Sequence, residues 1–320
     1  MTQSSTPRVA VGLPVYNGEN YLRIAIESVL AQTFRDFELI ICDNVSTDST
    51  AAICAAYAER DSRVRYHRNP RNLGAAPNFN MTFKVISPSV EYFRWISHDD
   101  TMSPDSLEKS VRALDAHPER VLCTSLIGMI DADGTQTSVY DSGLQAARNS
   151  DQPSERFFDT ALRKHNNYDT YGLIRRSALE NSLMMPSYYA GEKTTLVELS
   201  VRGKFFHIPE VLFSVREHAQ RATSAISRLN WLSNEDTSAS RWLQIGTLMM
   251  FLDYCRIVNR HVKAPAERLR CYRMLVQWWF RHSHAAEFAS DAVAFVSPKA
   301  YLALQSLKHR LVGTERRAHA

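Results

Sequence analysis

The chain has 320 residues, 44% of them hydrophobic and 22% charged, with a formal net charge of +4. That composition is ordinary for a globular protein of one large or two small domains, and it excludes a low-complexity or disordered chain. No apolar run reaches the roughly 18 residues that suggest a membrane span; the best one, 242–258, is broken by Gln244, Asp253 and Arg256.

The N-terminus lacks the charged-then-apolar plan of a signal peptide. The five cysteines are odd in number, scattered and without a CxxC pair, so reduced thiols in a cytoplasmic protein are expected.

In chain order, residues 8–15 (RVAVGLPV) read as a buried strand, followed by the turn YNGEN and a helix with Leu22, Ile26, Val29 and Leu30 on one face. Phe37–Asp43 is a second apolar strand that ends on an acid. A polar turn, NVSTDST, offers Ser46 or Asp48 as the N-cap of the helix AAICAAYAER. The strand VRYHRN then leads into a loop, PRNLGAAPN, and a helix around Phe79–Ile86. Strands alternating with helices over short links predict a mostly parallel sheet covered on both faces.

The next stretch, YFRWISHDD (92–100), organises the chemistry. Its apolar half is a short buried strand, and it delivers His98, Asp99 and Asp100 directly before a helix at 104–117. In open α/β sheets, ligands bind at the carboxyl ends of strands. Two adjacent carboxylates there repel unless a cation or bound donors offset them, so a metal-and-phosphate site is expected.

Residues 121–130 read as a strand, 131–134 as a hairpin turn into 136–140, and 141–152 as a mobile polar loop. A helix spans 153–164. A second spans about Glu192–Val201, stopped by Gly203, and two short strands separated by Pro209 follow. From about Ser227 the pattern is helical, with apolar faces supplied by Trp231, Leu232, Trp242, Ile245, Met249, Leu252, Leu275, Trp278 and Trp279. The expected domains are therefore 1–225, with halves at about 1–120 and 121–225, and a helical C-terminal region, 226–320.

The combination of VGLPVYNGENYL, AIESVLAQTFRDFELIICDNVSTDST, RNLG and ISHDDTMSPDSLEKSVRALDAHPE closely resembles the family 2 glycosyltransferases over roughly residues 8–220. The resemblance implies the GT-A fold, a Rossmann-like mostly parallel sheet flanked by helices, here with a helical C-terminal appendage. It implies transfer of a sugar from a nucleotide-sugar, a UDP-sugar first among them, to a hydroxyl of a glycan or lipid-linked acceptor. Inversion at the anomeric carbon and a Mn2+ or Mg2+ ion are implied with it, as is a role in cell-surface polysaccharide or glycolipid synthesis.

Carried over residue by residue, the resemblance assigns Pro14, Tyr16 and Glu19 to the motif that meets base and ribose, and Asp43 to a hydrogen bond with the base. Asn44 and Val45 stand where relatives often have Asp and Gly. Asn72 fits the Asn-x-Gly loop. Asn78 follows Pro77 where relatives have Arg-Asn, so an arginine contact to the nucleotide is missing or comes from elsewhere, such as Arg71. In the acidic signature, Asp100 is the expected metal ligand, Asp99 goes to the ribose or to a water beside the metal, and His98 replaces the first acid as a packed or hydrogen-bonded histidine. Past the last strand, Arg216 is expected on the diphosphate and His218 on the metal, with the QRATS loop as a lid. An inverting transfer needs one carboxylate as base. Relatives carry Glu-Asp here, with the aspartate acting; this chain has Glu192-Lys193, and a lysine is protonated near neutral pH, so Glu192 is the expected base.

From Arg256 onward there are 12 Lys and Arg against 4 Asp and Glu, hence +8 in that segment. Arg268, Arg270, Arg273 and Arg281 beside Trp278, Trp279 and Phe280 allow two readings: a face for peripheral contact with the inner side of a membrane, or a helical pair packing its tryptophans inward. No nucleic-acid motif is present. The alternative function is a catalytically silent module that binds a nucleotide-sugar or a protein partner. A dehydrogenase or NTPase is disfavoured, because neither GxGxxG nor GxxxxGK[ST] occurs where it would be needed.

Overall fold

The computed structural model describes residues 6–188, 190–218, 246–280, 288–289 and 292–293. The first half alternates as expected: β1 (Val9–Val15), α1 (Leu22–Leu30), β2 (Phe37–Asp43), α2 (Thr50–Arg60), β3 (Val64–Arg68), α3 (Ala75–Lys84) and β4 (Tyr92–Trp95). After β5 (Thr101–Met102) and α4 (Ser106–Ala116) come β6 (Arg120–Ile130), β7 (Gln136–Tyr140), α5 (Gln145–Asn149) and α6 (Pro153–Leu162). A 3-10 turn (Asn167–Tyr171) leads to β8 (Leu173–Arg175), α7 (Arg176–Leu179), α8 (Gly191–Arg202) and β9 (Lys204–Arg216). The last described helices are α9 (Gly246–His261) and α10 (Pro265–Phe280).

Among the described residues these strands form one nine-stranded sheet in the order β3-β2-β1-β4-β8-β6-β9-β5, with β7 hydrogen-bonded to β6. All seven residues of β1 and of β2 are buried, as strands covered on both faces must be. Alternation sets the two faces. Val9, Val11 and Leu13 of β1 pack with Leu22 and Ile26 of α1, Ile53 of α2 and Leu107 of α4, whereas Ala10 packs with Phe93, Trp95 and Leu196 of α8.

Pairing is parallel across β3-β2-β1-β4, as the βαβ rhythm requires. Beyond β4 the sheet becomes mixed, because the short β8 runs antiparallel to both β4 and β6. Four smaller expectations are revised. Pro77 and Asn78 lie inside α3 rather than in the preceding loop, since a proline is tolerated in a first helical turn, where its missing N–H costs no bond. Ser49, not Ser46 or Asp48, is the N-cap of α2, although Asp48 Oδ1 accepts from the Thr50 N–H. The stretch 141–152 contains α5, anchored by buried Arg148. Pro209 does not divide β9: one strand runs from Lys204 to Arg216, and the irregularity is absorbed as a register shift against β6 between Ser125 and Leu126.

The C-terminal helices share a core with α6 and α8. Tyr254, Ile257 and Val258 of α9 and Leu275 and Trp278 of α10 pack with Phe157 and Leu162 of α6 and Val197 and Val201 of α8. Buried Glu198 of α8 accepts from the Leu183 N–H at 2.7 Å and pairs with His261 of α9 at 2.8 Å. The expected roles of Trp231, Leu232, Trp242, Ile245, Arg281 and the QRATS loop lie outside the described residues, as does the expected boundary at 225/226. No helix among the described residues is long and apolar enough to cross a membrane.

Candidate active site

The turns after β1 and β2 are laced together. Asn17 donates its N–H to Ser46 Oγ and takes the Thr47 N–H on its Oδ1, at 2.9 Å each; the Gly18 N–H goes to Thr50 Oγ1, also at 2.9 Å. Glu19 Oε2 accepts the Ser49 N–H at 3.0 Å, while its own N–H goes to Asp48 Oδ2. Glu19 is therefore a clamp between the two turns. Pro14 sits in β1 beside Cys42 of β2 and supports the turn that follows. Tyr16 is 48% exposed, an open ring available for stacking on a base.

Below this rim the acid at the end of β2 is enclosed. Asp43 Oδ1 accepts the Ser46 N–H at 2.8 Å and Oδ2 accepts the Tyr66 hydroxyl at 2.9 Å, with Arg68 Nε 3.8 Å away. Burial and the Asp43 charge push the Tyr66 hydroxyl well above its ordinary range, so it stays a donor. A base cannot reach this carboxylate without opening its shell. Asn44 donates to Asn72 Oδ1 at 2.6 Å and accepts from Leu73 N and Asn69 Nδ2. Asn72 in turn accepts the Gly74 N–H at 2.9 Å, so it holds the loop's own turn. Asn78 is buried and spans the ends of the first two strands, giving its amide to Cys42 O at 2.9 Å and accepting from Asn69. Its position is that of a strut, and the expected nucleotide contact finds no surface there.

The acidic turn separates its two carboxylates. Asp100 is 1% exposed and accepts the Arg216 N–H at 3.0 Å. Arg216 is equally buried: its Nε donates to Asp99 O, its Nη1 to Asp131 O and Ala132 O, and its guanidinium lies over Tyr21. The expected phosphate clamp is thus spent on backbone carbonyls, fastening the acidic turn to the end of β9 and to the β6–β7 turn. Asp99 is the less enclosed of the two, at 9% against 1% exposed. Its Oδ2 lies 2.9 Å from His218 Nε2, and His218 packs against Tyr21 with ring centroids 5.0 Å apart. His98 fills the space over Gly18, where an added Cβ would come within 2.7 Å of its ring. Burial pushes the His98 imidazole below its ordinary range, against the pull of Asp99, so it is neutral at pH 7.

Whether this turn suits a dication depends on its donors. No cluster of three or more ligating side chains occurs among the described residues. A hard dication bound with a diphosphate needs only one or two protein ligands, the rest being water and phosphate oxygens. The carboxylate of Asp99 and the imidazole of His218 meet that requirement; Asp100, committed to a backbone N–H and enclosed, does not.

Glu192 stands in the first turn of α8, entered through Ala190 at φ +60. Helix and preceding loop touch so closely that a Cβ on Gly191 would sit 2.2 Å from Pro186 O, so glycine is needed to bring Glu192 to this place. Asn167 Nδ2 donates to Glu192 Oε1 at 3.2 Å. Burial raises the Glu192 carboxyl above its ordinary value, opposed by this hydrogen bond and by the Lys193 charge. At the other end of the same 3-10 turn, the Tyr171 hydroxyl meets Ser97 Oγ at 2.8 Å, and its ring stacks on Phe213. Neither contact was legible beforehand, since Asn167 and Tyr171 sit in a polar stretch whose only sequence signal is that of a loop.

Comparison with known proteins follows the same outline. The pattern of the family described as glycosyl transferase family 2 matches residues 10–183. An uncharacterized glycosyltransferase of Rickettsia typhi is 36% identical over 109 residues, 34% of this chain and 32% of that protein. EpsH of Bacillus subtilis strain 168, named as a glycosyltransferase, is 29% identical over 216 residues, 67% of this chain and 56% of its own length. The chain thus spans about a third to a little over half the length of these relatives. Among solved structures, S. aureus TarS 1–349 in complex with UDP-GlcNAc superposes with a TM-score of 0.62 at 15% identity, covering 90% of this chain and 80% of that one. The mannosyltransferase PcManGT of Pyrobaculum calidifontis, in complex with GDP-Man and Mn2+, gives 0.54 at 15% identity over 96% and 81%. Likeness at that identity establishes the fold, a mixed α/β sheet flanked by helices.

Proposed function

The chain belongs to glycosyl transferase family 2, and from that membership we propose that it is an inverting sugar transferase acting on a nucleotide-sugar and an acceptor hydroxyl. The observation that carries this reading is Glu192: a carboxylate in a first helical turn, held by a neutral amide and raised toward a working base by burial. Glu192 takes the proton of the acceptor hydroxyl as its oxygen forms the bond to the anomeric carbon. The bond from that carbon to the diphosphate breaks on the opposite side, and its electron pair leaves with the nucleotide. Tyr16 offers its exposed ring to the base, and the laced turns of Asn17, Gly18 and Glu19 hold that rim in place.

Asp99 and His218 would hold a Mn2+ or Mg2+ ion, which when bound supplies charge neutralisation to the departing diphosphate. The neighbours that carry UDP-GlcNAc, or GDP-Man with Mn2+, support a nucleotide-sugar donor of this class. We take residues 1–225 as the transferase unit, with α9 and α10 closing its acceptor side. We also place the protein in the cytoplasm at the inner face of a membrane, where it would serve glycan or glycolipid synthesis. That placement is supported by the outward stripe on α10, where Leu269, Val276 and Phe280 are 54%, 59% and 83% exposed beside Arg273.

A thermal-shift screen of UDP- and GDP-sugars with and without Mn2+, followed by transfer assays, tests the proposal. A donor that raises Tm more with Mn2+ and is then turned over supports it; no Tm rise with any nucleotide-sugar would overturn it. The enclosure of Asp100 and Arg216 favours a second reading, a module that binds the donor without turnover. Binding without hydrolysis or transfer across acceptors would select that one.

A further inference from the structure

Between the proposed base and the acidic turn lies one short element, the 3-10 turn Asn167–Tyr171. Its first residue donates to Glu192 and its last is hydrogen-bonded to Ser97, which opens the acidic turn. At about 2.0 Å of rise per residue, its five residues span roughly 8 Å from first Cα to last. That is the scale of a sugar ring with a reacting group on each side.

The interior of the turn is unusual. Asn167 Oδ1, Asp169 Oδ2 and Thr170 Oγ1 are all buried without a hydrogen-bond partner. Unmade hydrogen bonds of this kind are rare in folded proteins and accumulate where function demands a particular arrangement. For Asn167 the orphaned carbonyl is informative, because the side chain gives its only bond to Glu192. Turned the other way, the amide would set its oxygen against a carboxylate, so the donor orientation follows from charge.

Resting on the reading of Glu192 as base, we infer that Asn167 is a positioning residue that holds the Glu192 carboxylate in its ionised form and in line with the acceptor hydroxyl, and that the turn sets its distance from the diphosphate end through Tyr171 and Ser97. The charged and titratable groups facing Glu192 are Lys193 on its own helix and Tyr254 on α9. Tyr254 is fully buried, and its neutral form is favoured by burial. Asn167 therefore supplies the one side-chain hydrogen bond recorded for the carboxylate among the described residues.

The test is the pH dependence of kcat in the full chain, measured on UDP-GlcNAc or GDP-Man with Mn2+, whichever the screen finds turned over. Removing the donated hydrogen bond in Asn167→Ala raises the Glu192 pKa, so the acidic limb moves up by about one pH unit or more. On the acidic side of the limb turnover then falls by up to about tenfold, it recovers at higher pH, and donor KM stays within about twofold. Asn167→Asp, which keeps the shape and sets a second carboxylate against the first, moves the limb further in the same direction and serves if the alanine variant fails to fold. A uniform loss across pH with an unmoved limb, or no change in either variant, overturns the inference. If Glu192→Gln itself keeps wild-type turnover, the failure lies in the assignment of the base.

Discussion

His218 Nε2 lies 2.9 Å from Asp99 Oδ2, joining the residues just past β9 to the turn that follows β4 across 119 positions of sequence. The pair gathers a carboxylate and an imidazole at the same point, while the neighbouring acid, Asp100, is folded away under the Arg216 backbone. Replacing either partner, as Asp99→Asn or His218→Ala, should weaken the Mn2+-dependent part of donor binding by roughly 10–100-fold. Titration of UDP-GlcNAc or GDP-Man with and without Mn2+ reads the effect. Loss of the metal dependence in Asp100→Asn alone, with Asp99→Asn unaffected, would return the ligand to Asp100.

Arg216 should matter to stability before it matters to phosphate. Arg216→Ala takes the guanidinium donors from the carbonyls of Asp99, Asp131 and Ala132, of which Asp131 O keeps the Gly134 N–H, and exposes the Tyr21 face. The cost should be about 3 kcal/mol, read as a lower denaturation midpoint. An Arg216→Ala protein of wild-type stability that has lost donor affinity would restore the clamp.

Much of the frame could be read from the chain because local chemistry dictates it. The apolar runs at 9–15 and 37–43 are buried on both faces, and each gives way to a polar turn. What could not be read are pairings made by tertiary contact. Nothing in the sequence says that Asp43 is shut in by Tyr66, that Asn78 braces two strand ends inside α3, or that Asn167 reaches Glu192 across 25 residues. The enclosure of Asp100 rather than Asp99 has the same origin: the bond from the Arg216 N–H holds Asp100 inward, and no local signal announces it.

Val45 carries φ +64, a conformation that costs a β-branched residue roughly 1–3 kcal/mol. The family resemblance implies glycine as a common residue here. Val45→Gly should therefore stabilise the protein by about 1 kcal/mol after the extra entropy of the unfolded chain is allowed for. Chemical denaturation measures this, and a destabilised variant would show that packing of the valine outweighs its strain.

Burial places the folded-state pKa of Glu192 above the ordinary 4.5. Its contribution to stability is whole below that value and is lost as pH rises through the folded pKa. Glu192→Gln should accordingly raise Tm near pH 8 by roughly 1–3 °C, allowing for partial exposure, and leave it unchanged at pH 4. Equal Tm differences at both pH values would mean that the carboxyl is not desolvated.

The exposed stripe on α10 predicts adsorption to anionic vesicles at low salt. Changing Leu269, Val276 and Phe280 to serine should abolish sedimentation with phosphatidylglycerol vesicles while leaving Tm within about 2 °C, since surface changes away from the core cost little. Trp278→Ala, by contrast, empties the core shared by α6, α8, α9 and α10 and should cost roughly 3–5 kcal/mol. Wild-type protein that stays in the supernatant at low salt removes the membrane contact.

The most direct measurement compares turnover with donor binding in Glu192→Gln, using calorimetric titration of the nucleotide-sugar alongside initial rates of transfer. The expected result is a fall in kcat of roughly 10²–10⁴-fold with the donor Kd held within about twofold, as loss of a base requires. Turnover close to that of the wild type would contradict it and remove Glu192 from the chemistry.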